Sequence, residues 1–249
     1  MNLKEEIIEQ LNQQKEIFGD ELYTSVKLEK FDYKKIPGKS TLKIAEKKEE
    51  FIPKGIEISQ FDNYDNLDDF NSAINTCHKC GLGNSRIKFV FGDGNPNADL
   101  MLIGEAPGAE EDKQGVPFVG RAGQLLNDIL KAINFKREDV YIANILKCRP
   151  PNNRDPLPSE REVCSPYLYK QIDLIKPKLI LCLGKVAANV MLNNKDSLTK
   201  MRGKVHEING IKTMVTFHPA ALLRNPNWKR PTWEDVQKLR KLYDELVGE

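Results

Sequence analysis

The sequence predicts an α/β fold with three layers (α/β/α), in which helices cover a central, mainly four-stranded parallel sheet. Four apolar runs of strand length recur along the chain, at residues 99–103, 140–146, 179–183 and 213–217. Segments with helical spacing of apolar residues separate these runs. Strands that alternate with helices favour a parallel sheet that is covered on both faces.

Three helical patterns support this arrangement. Residues 66–74 have the pattern of a short helix that leads into the first cysteines, and Ser159 with Glu162 has the spacing of a capping box. Between them, apolar residues recur three and four positions apart, which predicts one buried face of a helix. This face consists of Leu125, Leu126, Ile129, Leu130 and Ile133.

The first 65 residues differ in composition from the rest and are predicted to form a charged extension to a domain spanning residues 66–249. Residues 3–22 carry apolar side chains in a loosely helical pattern, whereas residues 25–55 are rich in lysine and glutamate with little periodicity. Such a segment has too little apolar surface to fold alone. We therefore expect a partly helical start followed by a flexible linker.

The bulk composition is ordinary for a soluble globular protein, with 30% charged residues, 40% hydrophobic residues and a formal net charge of +2. No apolar run approaches the ~18 residues of a membrane span, and the N-terminus lacks the apolar core of a signal peptide. We expect a monomeric, cytoplasmic protein with reduced thiols and no membrane partner. Because the net charge is small, any surface for nucleic acid must be local.

Small and polar residues follow the ends of the predicted strands. Gly104 and Glu105 follow the first strand, Cys148 the second, Gly184 the third and His218 the fourth. In open parallel sheets, ligands bind at the carboxyl ends of the strands. The candidate chemistry is therefore expected at this edge of the sheet.

Four of the five cysteines form a candidate metal site. Cys77 and Cys80 have the spacing of a chelating pair, whereas fifteen residues separate Cys148 from Cys164, so these two do not form a second pair. An iron–sulfur cluster fits this spacing at least as well as zinc does, and both remain open. Cys182 lies inside an apolar run and is expected to be an ordinary packed thiol.

Four motifs occur in order along the chain. They are GEAPG at residues 104–108, GVPFVGRAGQLL at 115–126, NILKCRPP at 144–151 and HPAALLRNP at 218–226. Together with the cysteine spacing, they resemble the family-four uracil-DNA glycosylases, which carry a [4Fe-4S] cluster. The resemblance runs from about residue 67 to residue 246 and does not extend to the N-terminal segment.

The resemblance implies a base-excision-repair enzyme that flips uracil out of DNA and hydrolyses its N-glycosidic bond, releasing uracil and leaving an abasic site. Its substrate would be uracil-containing DNA, single- or double-stranded. The cluster would have a structural role, stabilising the fold and shaping a loop that faces DNA. Its ligands would be Cys77, Cys80, Cys148 and Cys164.

The resemblance also indicates the residues of the base pocket. Asn144 would read uracil, since its amide can donate to O4 and accept from N3–H, a pattern that cytosine presents in reverse. Phe118 would stack on the flipped base. His218 would donate a hydrogen bond to O2 and stabilise the departing anion. The residues expected to line the rest of the pocket are Gly104, Glu105 and Ala106.

The carboxylate that positions the attacking water is less clearly indicated. The best-known uracil glycosylases have an aspartate where this chain has Ala106. Glu105 is the first choice for this role. Glu111 is the second, because an acidic run such as residues 110–112 is usually a solvated loop.

Two sets of residues are expected to contact DNA. The segment after His218 would enter the duplex and fill the gap left by the flipped nucleotide, and basic residues after the second strand would contact phosphates. The candidates for insertion are Leu222, Leu223 and Arg224. The candidates for phosphate contact are Lys147, Arg149 and Arg154.

Three other functions are alternatives to this one. A related glycosylase that cross-links to the abasic sugar needs a histidine in an inserted basic loop, and residues 152–156 contain none. A non-catalytic DNA-binding module would bind DNA without releasing uracil. A nucleotide-binding enzyme is disfavoured, since neither a P-loop nor a dinucleotide-binding glycine pattern is present.

Overall fold

The computed structural model describes residues 58–248, which contain a six-stranded sheet. The strands are β1 Asp93–Gly94, β2 Leu100–Gly104, β3 Tyr141–Asn144, β4 Leu179–Leu183, β5 Val205–Ile208 and β6 Ile211–Thr216. Their order is β1-β3-β2-β4-β6-β5. The four central strands run parallel, and the two edge strands pair antiparallel with their neighbours. The predicted α/β fold with four parallel strands is confirmed.

The carboxyl ends of β2 and β3 lie side by side. Both β2 and β4 are buried along their whole length, as expected for parallel strands covered on both faces. The register pairs Gly104 with Asn144. Beyond the strands, the N–H of Leu146 donates to the carbonyl of Glu105 at 3.0 Å, so the two segments stay adjacent.

The described part of the chain contains eight α-helices. They are α1 Leu67–Ile74, α2 Ala109–Gln114, α3 Arg121–Ala132, α4 Pro158–Ile175, α5 Lys185–Met191, α6 Leu198–Met201, α7 Pro219–Arg224 and α8 Lys229–Val247. None of these helices combines the length and the apolar composition needed to cross a bilayer. The predicted apolar face of α3 is buried except at Leu125, which is half-buried.

The start of α4 differs from the expected capping box. The helix begins at Pro158, and the backbone N–H of Leu157 donates to Glu160 Oε2 at 2.8 Å. Glu160 therefore takes the capping role that the sequence assigned to Glu162. Proline suits the first helical position, because an N–H group at this position would have no acceptor within the helix.

The folded domain begins before the predicted boundary at residue 65. Ile58 and Phe61 are buried in the core. The Phe61 ring lies 5.2 Å from the Phe70 ring and 5.5 Å from the Tyr167 ring, measured between centroids. Residues 58–65 therefore belong to the packed domain. The predicted partial helix and linker at residues 3–55 lie outside the described residues.

Candidate active site

A cavity of about 340 Å³ opens at the carboxyl edge of the parallel strands. Loops after β2, β3 and β6 contribute to its walls, as the sequence predicted for this edge. Of the seven residues expected in the catalytic and base-binding set, six line this cavity and Gly104 lies beneath it; of the insertion candidates, Arg224 lines it. Its lining includes Glu105, Ala106, Glu111, Phe118, Asn144, His218 and Arg224, together with Pro107, Gly108, Ala122, Pro150, Asn153, Arg154, Asp155 and Ala220.

Gly104 lies beneath the cavity, where no side chain fits. A Cβ atom at this position would overlap Asn144 Oδ1 and would lie 2.8 Å from Phe118 Cε2 and Cζ. Carbon atoms in contact normally lie about 3.5 Å apart. The glycine therefore allows the amide of Asn144 and the ring of Phe118 to come together at the end of β2.

Asn144 supplies an acceptor that has no partner among the described residues. The residue is only 2% exposed, and no described group donates a hydrogen bond to its Oδ1 atom. A buried polar atom without a partner is unfavourable unless a ligand satisfies it. Since Asn144 lines the cavity, a ligand with an N–H group in the plane of the amide would meet this requirement.

His218 is held as a neutral imidazole with a defined tautomer. The backbone N–H of Ala220 donates to His218 Nδ1 at 3.1 Å, so the ring proton lies on Nε2. Burial and, to a smaller extent, the positive charge of Arg224 lower the pKa of His218 to about 4, against an opposing effect of Glu111. The residue is therefore an uncharged N–H donor at neutral pH.

Phe118 forms one wall of the cavity in an unusual backbone conformation. Its φ is 52°, in the left-handed region, which costs an L-residue about 1–2 kcal/mol. Its ring is 5% exposed and lies 5.4 Å from the His218 ring, at an interplanar angle of 30°. An aromatic wall beside an N–H donor and an amide is suited to a flat heterocycle.

Glu111 holds the loop that carries Phe118. Its Oε1 atom accepts hydrogen bonds from the N–H groups of Val119 and Gly120, each at 2.9 Å, and its Oε2 accepts from Gly108 at 3.1 Å. These three bonds occupy most of the accepting capacity of one carboxylate. The observed contacts therefore suit a residue that fixes the loop more than one that holds a water.

Glu105 is a carboxylate of the cavity lining with accepting capacity left for a ligand. Burial raises its pKa, the charge of Asp155 raises it further, and Arg161 opposes this shift. No hydrogen bond from another described residue reaches its side-chain oxygens. A half-buried carboxylate in a cavity, with a perturbed pKa and no structural partner, has the features of a functional group.

The structure does not support the predicted phosphate contact of Lys147. The side chain is fully buried, and its Nζ donates to the backbone carbonyl of Asn144 at 3.0 Å and to Gln171 Oε1. Burial lowers the pKa of Lys147 to about 7. This expectation was wrong, because a lysine enclosed on all sides cannot reach DNA. Lys147 instead packs against the backbone of Asn144.

The other basic candidates differ in how far their side chains are engaged in contacts within the protein. Arg154 forms a two-bond ion pair with Glu160, at 2.9 and 2.6 Å, and so supports the start of α4. Arg149 is half-buried and its Nε donates to Asn153 Oδ1 at 2.7 Å. Arg224 is exposed and lines the cavity. Of the three, Arg224 is the one best placed to meet a ligand from solvent.

The segment of α7 after His218 presents one apolar side chain to solvent. Leu223 is 41% exposed, whereas Leu222 is 1% exposed and belongs to the core. Leu222 is therefore excluded from insertion into a duplex. Leu223 and Arg224 remain the candidates, on the exposed side of this short helix.

The four predicted ligand cysteines are close enough to affect one another. Burial raises the pKa of Cys148, and Cys80 and Cys77 raise it further. Burial also raises the pKa of Cys164 to about 12, with contributions from Cys148 and Cys80. Cys182 lies apart from them in β4 and is fully buried, as expected for a packed thiol.

Hydrogen-bond donors surround these sulfur atoms. Cys77 Sγ accepts from the Tyr167 hydroxyl at 3.1 Å, and Cys148 Sγ accepts from Arg86 Nη1 at 3.4 Å. The backbone N–H of Lys147 donates to Cys164 Sγ at 3.3 Å. Among the described residues, no three His, Cys, Asp or Glu side chains are arranged to hold a single metal ion. An all-thiol set with N–H donors to sulfur fits an iron–sulfur cluster in its chemistry.

Sequence reasoning missed one residue that contacts the site from outside. Arg137 donates hydrogen bonds to the backbone carbonyls of Pro117 and Phe118. These partners lie 20 and 19 residues away in the sequence, so no local spacing pattern connects them. Only the fold brings Arg137 to the Phe118 loop.

Comparison with known proteins identifies the family of this chain. A model of the uracil DNA glycosylase superfamily matches residues 91–239. A type-4 uracil-DNA glycosylase from Archaeoglobus fulgidus is 43% identical over 186 residues, which cover 72% of this chain and 94% of that protein. The type-4 uracil-DNA glycosylase from Sulfurisphaera tokodaii is 44% identical over 187 residues (72% and 85%), and that from Thermotoga maritima is 44% identical over 174 residues (68% and 91%). The chain is therefore a member of the uracil-DNA glycosylase superfamily.

Proposed function

We propose that this protein removes uracil from DNA by hydrolysing the N-glycosidic bond, as the first step of base-excision repair. The observation that carries the proposal is the unpaired, buried Oδ1 of Asn144 beside the neutral His218 in one cavity. Both belong to a chain of the uracil-DNA glycosylase superfamily. The products would be free uracil and an abasic site.

Asn144 would select uracil over cytosine. Its Oδ1 atom, which receives no hydrogen bond from residues 58–248, would accept from uracil N3–H, and its Nδ2 would donate to O4. Cytosine has no proton on N3 and carries an amino group at C4, so both hydrogen bonds would be lost. Sites built to hydrogen-bond one group reject an analogue lacking it by roughly 10⁴-fold or more.

His218 would stabilise the leaving group. Cleavage of the C–N bond places negative charge on the uracil ring, and the Nε2–H of His218 would donate to O2 where this charge develops. A neutral imidazole suits this role because it strengthens its hydrogen bond to an anion without transferring a proton. The hydrogen bond from Ala220 to Nδ1 keeps the donor on the cavity side.

Glu105 would position the water that attacks the sugar carbon. The observation that favours it is a half-buried carboxylate at the cavity with no hydrogen bond from another described residue. Glu111, the other candidate, is occupied by three backbone N–H groups of the Phe118 loop. Glu105→Gln should therefore lower kcat while leaving the binding of free uracil nearly unchanged.

The uracil must leave the base stack before it can reach this cavity. Leu223 and Arg224 are exposed on α7 and would enter the space that the flipped uracil leaves in a duplex. Arg149 would contact the phosphate backbone of the DNA. A single-stranded substrate has no partner base and would not need this insertion. We propose activity on both forms of DNA.

The four cysteines Cys77, Cys80, Cys148 and Cys164 would hold a [4Fe-4S] cluster with a structural role. The cluster would tie the segment after β3 to α1 and α4. Iron and sulfide analysis of anaerobically purified protein would test this assignment. Cys164→Ser should lose bound iron, while Cys182→Ser should retain it. Equal iron content in both variants would contradict the ligand set.

The proposal also includes a monomeric state and a cytoplasmic location, where thiols stay reduced. Size-exclusion chromatography with light scattering would test the monomeric state. A dimer at micromolar concentration would contradict it.

The direct test uses an oligonucleotide with one uracil, followed by alkaline cleavage of any abasic product. Wild type should cleave at uracil and leave a thymine control intact. Asn144→Ala and His218→Ala should each lose about 10²–10³-fold in kcat, as loss of one oxyanion donor does elsewhere. His206→Ala is the matched control, because His206 hydrogen-bonds Met201 away from the cavity. DNA binding without cleavage by folded, iron-loaded protein would leave a non-catalytic DNA-binding module.

A further inference from the structure

Phe118 has a backbone conformation that phenylalanine normally avoids. Its φ of 52° brings Cβ close to the backbone, a strain that glycine does not have. The loop is tightly enclosed, since a Cβ atom on Gly123 would collide with the Phe118 carbonyl. The position of the stacking ring therefore depends on contacts that impose this backbone shape.

Arg137 supplies such contacts from the segment before β3. It lies in the single 3₁₀ turn Arg137–Asp139. Its Nη2 donates to the carbonyl of Pro117 at 2.6 Å, and its Nη1 donates to the carbonyl of Phe118 at 3.2 Å. These carbonyls belong to the two peptide planes that flank the Phe118 Cα atom. Because the orientation of these planes defines φ and ψ, one guanidinium holds both angles.

The guanidinium is itself fixed in orientation. Its Nε and Nη2 donate to Asp93 Oδ2 at 3.1 and 3.0 Å, and its Nη1 donates to Asn127 Oδ1 at 3.3 Å. With the two carbonyls, these contacts occupy all five N–H donors of the side chain. Arg137 therefore has no donor left for a DNA phosphate. A lysine could not make this forked set of bonds.

We propose that Arg137, oriented by Asp93, is a positioning residue that sets the stacking surface for uracil through Phe118. This inference rests on the proposed function. Glu111 binds the N–H groups that follow Phe118, and Arg137 binds the carbonyl groups of Pro117 and Phe118. The base would then meet a ring that is already in place.

A double-mutant cycle on kcat/KM for uracil release tests this role. In the wild-type background, Arg137→Met should lower kcat/KM by roughly 100-fold, since a shift of about 1 Å in a positioned group can cost this much. In the Phe118→Ala background, the same substitution should cost less than about threefold, because the two residues act as one unit. Equal losses in both backgrounds would overturn the proposal.

Arg240→Met provides a matched control. Arg240 is 24% exposed, against 22% for Arg137, and it also binds a carboxylate and a backbone carbonyl. It contacts Asp244 and Asn134, neither of which lines the cavity. It should lower thermal stability without changing kcat/KM. If Arg240→Met lowered kcat/KM as much as Arg137→Met does, the loss would reflect reduced stability, and the specific role of Arg137 would be contradicted.

Two milder substitutions keep the test valid if Arg137→Met folds poorly. Arg137→Lys keeps the charge and Asp93→Asn keeps the size of the partner side chain. Both should weaken inhibition by free uracil, and both should leave binding to uracil-free DNA unchanged. Unchanged inhibition by uracil in folded protein would overturn the proposal.

A structural measurement separates this inference from the proposed function. In a crystal structure of Arg137→Lys, Phe118 should leave the left-handed region and its ring should move away from His218. Phe118 in its original place would overturn the inference, whatever the activity. An inactive wild type with the expected movement of Phe118 would instead remove the proposed function and leave Arg137 as the residue that shapes this loop.

Discussion

Gly104→Ala should damage the uracil site while it adds only one methyl group. The new Cβ would overlap Asn144 Oδ1 and would lie 2.8 Å from two carbon atoms of the Phe118 ring. To restore carbon contacts of about 3.5 Å, the ring must retreat by about 0.7 Å. The amide of Asn144 must move further. Both side chains would be displaced by the same methyl group.

The expected loss of activity follows from the displacement of the Asn144 and Phe118 side chains. A misplacement of about 1 Å can reduce catalysis roughly 100-fold, which corresponds to about 2.7 kcal/mol of transition-state stabilisation. Crowding the core should also lower the free energy of unfolding by about 1–3 kcal/mol. The activity loss should therefore persist at temperatures where the variant is fully folded.

The assay is single-turnover uracil release from a single-stranded oligonucleotide, with urea denaturation of the same preparations. Gly81→Ala is the control, because its added Cβ would have no atom within 4 Å and should leave the rate unchanged. If Gly104→Ala kept more than a third of the wild-type rate, the close approach of Gly104, Asn144 and Phe118 would not limit the reaction.

Three further predictions follow from burial and charge. Burial lowers the pKa of His218 from its ordinary value of 6.5 to about 4, so the unfolded chain binds a proton in this interval that the folded chain does not. The free energy of unfolding should therefore fall as pH drops from 6.5 to 4, and His218→Gln should reduce this dependence in urea titrations. If the free energy of unfolding of His218→Gln depended on pH as steeply as that of wild type, the lowered pKa of His218 would be contradicted. Arg224→Ala should slow uracil release from duplex DNA more than from single strands, and equal losses would argue against insertion. Phe61→Ala should lower the free energy of unfolding by about 3–5 kcal/mol, and no loss would remove residues 58–65 from the packed domain.

The central strands could be predicted because their side chains carry the signal. Buried parallel strands need continuous apolar runs, and β2 and β4 have them. The edge strands lack such runs, since β1 has two residues and β5 is partly exposed. The turn between β5 and β6 was not among the predictions, although Asn209-Gly210 is a pair preferred in tight hairpins; both residues have positive φ.

Within the site, the sequence identified the residues that line the cavity better than the residues that support them. Asn144, Phe118 and His218 lie in recognisable motifs, and the structure brings them to one cavity. Lys147 lies in one of the same motifs, but its charge gives no sign that it is buried. Whether a basic side chain faces solvent depends on the packing of α4, which a local pattern does not contain.

The burial of Lys147 has a consequence for how this protein can change over evolution. Its Nζ supports Asn144, its backbone N–H contacts Cys164, and its neighbour is Cys148. Only three residues therefore separate Asn144 at the cavity from Cys148 in the cysteine group. An insertion or deletion here would disturb both at once. We therefore expect loops elsewhere to vary in length among homologues while this interval keeps a constant length.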